Sequence, residues 1–174
     1  MNTESNTENT FKMSDALDNF VQKIGHFMMW TNGLLIFAII TQVILRYGFG
    51  KGMVVLEELQ WHLYAVGIMF GASYAVVKDS HIRVDIIHAN LSPGWQKRWD
   101  LFGIIILLLP FVFIIFHQSL DFVHEAWRVG ERSDAPSGLP FRWLIKGVIP
   151  ASFSLLGIAV MSRAVRIVHH IKRG

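Results

Sequence analysis

The 174-residue chain contains no cysteine, which excludes a disulfide, a thiolate nucleophile and a cysteine-ligated metal. Charge is missing from long stretches as well. Asp, Glu, Lys and Arg make up 17% of the sequence, yet none occurs in four apolar runs. These runs cover residues 24–45, 59–77, 101–120 and 147–162, and they are 22, 19, 20 and 16 residues long. Such an exclusion of charge predicts helices that cross a membrane.

The lengths of the runs fit this prediction. A helix rises about 1.5 Å per residue against about 30 Å of hydrocarbon, so the first three runs are long enough to cross. The fourth is short, but Lys146 and Arg163 flank it and can reach the headgroups. All six tryptophans lie near an end of a run, where indole is favoured: Trp30, Trp61, Trp95, Trp99, Trp127 and Trp143.

We therefore predict an all-α integral membrane protein with four transmembrane helices, over about residues 24–47, 57–77, 93–122 and 143–168. Residues 1–10 are polar and are predicted to be disordered. Residues 11–24 carry apolar side chains at helical spacing, which predicts an amphipathic interfacial helix before the first span. Residues 11–174 then form a single four-helix membrane domain.

The distribution of basic residues predicts the orientation. With four spans, the side that holds both termini has ten Lys and Arg, and the other side has six. Cytoplasmic flanks carry the excess, so both termini are predicted to be cytoplasmic. The net charge of +3 is explained by this topology and does not indicate nucleic-acid binding.

The apolar runs also limit what the chain can do alone. Charged groups inside a membrane usually mark an ion or proton path, and none of the four runs contains Asp, Glu, Lys or Arg. No nucleophile and base pattern accompanies them either. We expect no enzyme activity and no cofactor in this chain, and we expect its work to be done with another membrane protein.

Several residues are candidates for contacts with that partner. Gly67 and Gly71 form a GxxxG pair in the second span, which either packs inside this bundle or contacts a partner. Glu57 and Glu58 open the same span and Arg46 ends the first. An ion pair from Arg46 to Glu57 or Glu58 is the simpler interpretation, and a partner contact at the outer surface is the alternative.

Two histidines leave a different function open. His62 and His117 are predicted to lie at similar depth, in the second and third spans. Two facing imidazoles can ligate a haem, which would make the chain a haem-bearing membrane anchor of an oxidoreductase. Alternatively, His62 is hydrogen-bonded to a neighbour such as Glu58, four residues before it.

The motifs, taken in order, resemble a known family. They are Arg46-Tyr47, Leu56-Glu57-Glu58-Leu59-Gln60-Trp61-His62, His81-Ile82-Arg83-Val84-Asp85, Glu131-Arg132-Ser133, Gly138-Leu139-Pro140 and Arg142-Trp143 with Lys146. This series is similar to the small, Q-type membrane subunit of tripartite ATP-independent periplasmic (TRAP) transporters.

The resemblance implies a multi-pass protein of the bacterial inner membrane that assists a sodium-coupled importer of organic anions. The implied partners are a large multi-helix membrane subunit, where sodium is expected to bind, and a periplasmic substrate-binding protein. Membrane lipid is a further partner, because the short fourth run leaves room for a bound phospholipid.

The resemblance also assigns residues to surfaces. Together with Gly67 and Gly71, which the GxxxG spacing suggests, the candidate subunit-interface or structural residues are Arg46, Glu57, Glu58, Trp61, His62, His81, Arg83 and Asp85. The side that would dock the binding protein carries Arg128, Arg132, Gly138, Leu139, Pro140 and Arg142.

Overall fold

A computed structural model describes residues 2–78 and 91–173, and this part of the chain contains helices and no strand. Helix α1 covers Asn2–Val43 and ends in a π-helical turn, Ile44–Gly48. Helix α2 covers Val54–Val77. Helix α3 covers Pro93–Phe102 and continues through a π-helical segment, Gly103–Leu108, into α4, Leu109–Arg128. Helix α5 covers Arg142–Arg173.

Helix α1 differs from the prediction at its start. It runs without a break from Asn2, whereas disorder was predicted over residues 1–10 and a separate interfacial helix over residues 11–24. No proline interrupts the segment, and extending a helix costs less than nucleating a second one. Ser14, Asp18 and Val21 are buried, and Ser14 and Asp18 are bonded to α5. This part of α1 therefore packs against α5, and its position relative to the membrane stays a prediction.

Helices α1 and α2 are antiparallel neighbours, because the turn between them is short. Gly50 lies in this turn with a φ of 64°, a conformation that favours glycine. Contacts along the whole length of the pair establish the register: Gly25 with Tyr74, Asn32 with Gly67, Ala38 with Gln60, and Gln42 with Glu57.

The third predicted span begins at Pro93, as expected, with Ser92 in an extended conformation before it. The Ser92 hydroxyl does not cap the helix. Pro110 lies inside this predicted span. Because proline lacks an N–H and crowds the preceding turn, the helix cannot keep regular α geometry there. The π-helical segment Gly103–Leu108 lies directly before it.

Helix α5 lies at the centre of the bundle. Its Ser152 carbonyl accepts a hydrogen bond from Ser73 of α2, and its Ser162 bonds to Ser14 of α1. On the side of α4, the Phe153 ring lies 6.0 Å from that of Phe111. Helix α5 contributes more residues to the buried core than any other helix: Leu155, Leu156, Ala159 and Val160.

Three helical stretches are long and apolar enough to cross a membrane: Ser14–Gly48, Gly94–Arg128 and Arg142–His169. They correspond to the first, third and fourth predicted spans. Helix α2 has 24 residues, but its first turns carry Glu57, Glu58 and His62, and it is not among the three. The four-span count and the cytoplasmic termini therefore stay predictions.

The outer faces of these helices are strongly apolar. Phe27, Trp30 and Phe37 of α1 are each at least 70% exposed, and α4 exposes Phe113 and Ile114. A soluble protein rarely shows apolar surface of this extent. The faces are instead suited to lipid or to a membrane partner.

Candidate functional site

The candidate site is the end of the bundle where α2 begins and α5 begins. Two segments meet there: residues 42–58, around the α1–α2 turn, and residues 129–146, which contain the loop between α4 and α5. We call residues 129–141 of the second segment the outer loop, after the side on which the predicted topology places them. Most of the sequence motifs fall in these two segments.

Glu57 holds the turn between α1 and α2. Its carboxylate forms an ion pair with Arg46 and accepts a hydrogen bond of 3.1 Å from the Gln42 side-chain amide. The Gln42 carbonyl oxygen in turn accepts a bond of 3.2 Å from the Met53 backbone N–H. The predicted ion pair of Arg46 is therefore confirmed, with Glu57 as the partner.

Glu58 holds the outer loop. Its carboxylate accepts a hydrogen bond from the Ser133 hydroxyl and one of 2.6 Å from the Leu139 backbone N–H. These residues are 75 and 81 positions away in the sequence. The nearby positive charge of Arg142 further favours the ionised carboxylate. One side chain at the start of α2 thus holds both sides of the loop.

The loop closes tightly around this carboxylate. The Ser133 backbone N–H donates to the Leu139 carbonyl at 3.3 Å, and the Gly138 N–H donates to the Ala135 carbonyl at 2.9 Å. A Cβ atom on Gly138 would clash with the Ser133 side chain and would lie 2.9 Å from Glu58 Oε1. Glycine is therefore required at position 138, because the side chains of Ser133 and Glu58 lie too close for a Cβ atom.

A second carboxylate fastens the loop to α5. Glu131 forms an ion pair with Lys146, whose ammonium also lies 3.8 Å from the centre of the Phe122 ring. The Glu131 carbonyl accepts a hydrogen bond of 3.1 Å from the backbone N–H of Arg142. The Arg142 guanidinium lies 4.0 Å from Glu131 and 3.8 Å from Asp134. The outer loop is thus held from α2 and from α5.

The residues predicted for the docking side divide into two groups. Gly138 and Leu139 are half-buried and serve the loop's own structure, together with Arg142. Arg132 and Pro140 are exposed on the loop. Arg128 is exposed at the end of α4 and forms a two-point ion pair with Glu125, at 2.7 and 2.9 Å.

Trp61 and His62 lie one turn further along α2. Trp61 is 70% exposed and packs edge-to-face on Tyr64 of its own helix. His62 is half-buried beside Glu58. His117 is exposed, and its ring contact is with Phe113 on its own helix. Among the described residues no group of three or more His, Asp and Glu could hold a metal, and no contact supports the haem interpretation.

The two glycines of the GxxxG pair have different surroundings. A Cβ on Gly67 would lie 2.8 Å from Asn32 Oδ1, so this glycine permits close packing of α1 on α2. A Cβ on Gly71 would meet nothing within 4 Å. Gly67 therefore serves the bundle's own packing, and Gly71 faces outward. His81, Arg83 and Asp85 lie outside the described residues.

The sequence analysis missed a polar cluster at the opposite end of the bundle. The Ser14 and Ser162 hydroxyls are 2.6 Å apart, and Arg166 donates to Ser14 at 3.0 Å. Arg166 also pairs with Asp15 at 2.8 Å and with the buried Asp18. The sequence held a signal: Ser14 and Asp18 share one helix face, as do Ser162 and Arg166, and the two polar pairs are complementary.

The polar groups of the site bond to one another and thereby hold the loop and the helix ends together. Its carboxylates are occupied by structural donors, and the serine that is bonded to Glu58 also accepts a 3.2 Å bond from the Ala135 N–H. The arrangement holds an outer loop in one conformation. It suits a contact surface.

Comparison with known proteins agrees with this description. The chain is 26% identical over 141 residues to the sialic acid TRAP transporter permease protein SiaT of Haemophilus influenzae strain 86-028NP, which covers 79% of this chain and 21% of SiaT. The chain thus spans about a fifth of that relative's length. It is 25% identical over 142 residues to a putative TRAP transporter small permease protein of Haemophilus influenzae strain Rd, which covers 81% of this chain and 84% of the relative.

A family model described as the DctQ component of tripartite ATP-independent periplasmic transporters matches residues 35–170. This match covers the start of α2, the outer loop and all but the last turn of α5. With the apolar helices described above, it indicates a multi-pass protein of the bacterial inner membrane. The chain belongs to the DctQ family of TRAP transporter small permease subunits.

Proposed function

We propose that this chain is the small membrane subunit of a sodium-coupled importer of organic anions that depends on a periplasmic binding protein. In this function it braces the stationary part of a large transport subunit, which binds the sodium and the substrate. The apolar outer faces of α1 and α4 offer the surface for that partner. SiaT is named for sialic acid, itself an organic acid, which supports the proposed substrate class.

The observation that carries the proposal is the way the outer loop is held. Glu58 and Glu131 attach it to α2 and α5, so the loop and both helix ends form one unit. A brace must not deform when a neighbouring domain moves, and two attachments from different helices supply that stiffness.

The same loop is the proposed contact for the binding protein. Arg132 and Pro140 are exposed on it, and Phe141 is 60% exposed with a φ of 62°. A bulky side chain in this left-handed conformation is strained, and such strain concentrates at functional positions. The loop thus presents a cation and apolar side chains from a fixed backbone, as docking surfaces do.

Reconstituted transport tests the proposal. Proteoliposomes that hold the large subunit and this chain, supplied with binding protein and a sodium gradient, are expected to accumulate the organic anion. Vesicles without this chain are expected to show little uptake. In the same assay, Arg132→Glu should raise the concentration of binding protein needed for half-maximal uptake, because it reverses a charge on the docking loop.

Lys51→Glu is the matched control, because Lys51 is an exposed cation in the α1–α2 turn and lies outside the outer loop. It should leave the requirement for binding protein unchanged. Uptake at full rate without this chain would refute the bracing function. Equal effects of the two substitutions would refute docking through the outer loop.

A further inference from the structure

Asn32 of α1 carries a polar side chain well inside the first apolar run. It lies nine positions after Lys23, the last charged residue before the run, and 14 positions before Arg46, the first charged residue after it. These separations are about 13 Å and about 21 Å along the helix, at about 1.5 Å per residue. In the predicted first span, Asn32 is therefore too deep for its short side chain to reach water or a headgroup.

The Asn32 amide is exposed and has no hydrogen bond within the part of the chain that the structure describes. Its Oδ1 atom lies against α2, at 2.8 Å from where a Cβ on Gly67 would be, so its two N–H donors point away from α2. The Met28 carbonyl, one turn back, already accepts the Asn32 backbone N–H and the Thr31 hydroxyl. The side-chain donors of Asn32 therefore face outward without an acceptor.

The next residue, Gly33, has a second feature that the described chain does not explain. Glycine inside a helix is destabilising relative to alanine. Gly33 is exposed, and a Cβ added to it would meet nothing within 4 Å, so no close contact in the bundle requires glycine there. In membranes, a glycine lets a second helix approach closely and brings it within reach of a polar side chain beside the glycine. Asn32 and Gly33 together are typical of a contact between helices.

The chemistry of Asn32 indicates what covers this face of α1. An amide without a hydrogen bond in hydrocarbon costs free energy, and an acyl chain has no acceptor atom that could satisfy it. A membrane helix can supply an acceptor through a hydroxyl, a side-chain amide or a free backbone carbonyl. The chain belongs to a family that is one component of a tripartite transporter, so helices of another component are available to it.

We propose that α1 contacts the large subunit at Asn32 and Gly33, and that the Asn32 amide donates to an acceptor oxygen on a membrane helix of that subunit. This inference rests on the proposed function, which supplies the partner. It adds the helix, the depth and the bonding group through which the two subunits meet. The hydrogen bond forms only in the complex, so Asn32 serves the recognition of the partner and not the folding of this chain.

Association of the two subunits in liposomes tests this contact. The full chain and the large subunit carry a donor and an acceptor fluorophore, and energy transfer between them gives a dissociation constant as a mole fraction in the lipid. Asn32→Leu keeps the approximate size of the side chain and removes the amide. It should raise the dissociation constant about 3- to 30-fold, the range for one hydrogen bond between membrane helices. The melting temperature of the purified chain should not fall.

Thr41→Val is the matched control on the same helix. Thr41 lies nine positions after Asn32, which is about two and a half turns, so it is on the opposite side of α1. Its hydroxyl donates to the Phe37 carbonyl of its own helix at 2.8 Å and needs no partner subunit. The dissociation constant should stay unchanged, and a rise equal to that of Asn32→Leu would contradict the proposed face.

Gly33→Leu tests the close approach by a separate route. The larger side chain should weaken association with the large subunit, although leucine favours the helix of the free chain more than glycine does. Undiminished association of this variant would contradict a close contact at Gly33.

The outcomes for Asn32→Leu separate this inference from the proposed function. An unchanged dissociation constant, while the unmodified chain binds the large subunit, would overturn the contact alone. A lower melting temperature would also contradict it, since the amide would then act within the bundle. Energy transfer between two copies of this chain that is lost in Asn32→Leu would show a second copy as the occupant. If the unmodified chain does not bind the large subunit, the proposed function fails and this contact fails with it.

Discussion

At the scale of single residues, two adjacent glutamates have separate tasks. Successive helical positions point about 100° apart, so Glu57 faces the α1–α2 turn and Glu58 faces the outer loop. Glu57 pairs with Arg46, and Glu58 bonds to Ser133 and Leu139. A doubled acidic residue at a helix start is explained by two independent attachments, and the helix dipole stabilises both charges.

Gly138 gives the sharpest prediction at this scale. Gly138→Ala should destabilise the outer loop by about 1–3 kcal/mol, because the new methyl group would overlap Ser133 and crowd Glu58. Hydrogen exchange at the backbone amide of Leu139 should become faster, because this amide is protected by its bond to Glu58. Exchange mass spectrometry of the purified protein measures it.

Gly71→Ala provides the control for this variant. A Cβ on Gly71 would meet nothing within 4 Å, and Gly71 lies in α2 away from the loop. Hydrogen exchange of residues 129–141 in the Gly71→Ala variant should match that in the unmodified chain. Unaltered protection of Leu139 in Gly138→Ala would show that the loop does not close as described.

At the scale of helices, the start of α1 and the end of α5 are joined by a polar cluster. Arg166 contacts Ser14, Asp15 and Asp18, of which Ser14 and Asp18 are buried. Buried polar groups need partners, and here each helix supplies the partners of the other. The cluster fastens the N-terminal part of α1 to the C-terminal part of α5.

Replacing the arginine tests the importance of this cluster. Arg166→Met removes the cation and leaves the Asp18 carboxylate buried without its partner. The expected loss is about 1–3 kcal/mol, toward the lower end because the Arg166 side chain is 39% exposed. A thermal shift of the purified protein measures the loss.

Arg128→Met is the matched variant at the other end of the bundle. Arg128 and Glu125 are 66% and 57% exposed, and exposed pairs contribute about 0–1 kcal/mol. The melting temperature of Arg128→Met should therefore fall less than that of Arg166→Met. The opposite order would mean that the α1–α5 cluster adds little to stability.

At the scale of the whole molecule, α5 is the helix on which the others pack. Helices α1 and α2 lie against it on one side and α4 on the other. Both clusters of ion pairs are at the ends of the bundle, and the buried side chains that the structure describes between them are apolar or carry a hydroxyl group. This distribution suits a static membrane frame, because no charge has to move through it.

The number of spans can be tested on the whole chain because it has no native cysteine. Single substitutions Lys51→Cys, Ser92→Cys and Ser137→Cys place thiols at exposed positions in three connections. With four spans and cytoplasmic termini, a membrane-impermeant maleimide should label Lys51→Cys and Ser137→Cys from outside, and Ser92→Cys only after lysis.

A chain in which α2 does not cross gives a different pattern. Lys51→Cys and Ser92→Cys would then be labelled together, and Ser137→Cys would be protected. Reversed orientation would exchange labelled and protected positions throughout. The three variants thus separate the predicted topology from each alternative.

Part of this structure could be predicted from local sequence patterns alone. Charge-free runs predicted the apolar helices. The ion pair of Arg46 followed because its partner is only 11 positions away. In each case the interacting residues are close in sequence or share one helix, so spacing determines whether they can meet.

Only the tertiary structure decided the contacts between distant segments. Glu58 meets residues 75 and 81 positions away, and Ser14 meets Ser162 across 148 positions. The sequence by itself determined a helical membrane protein with its charges at the helix ends. Which charge meets which, and which glycine is packed, followed from the way α1, α2 and α4 lie on α5, because such contacts depend on the position of whole helices and not on local spacing.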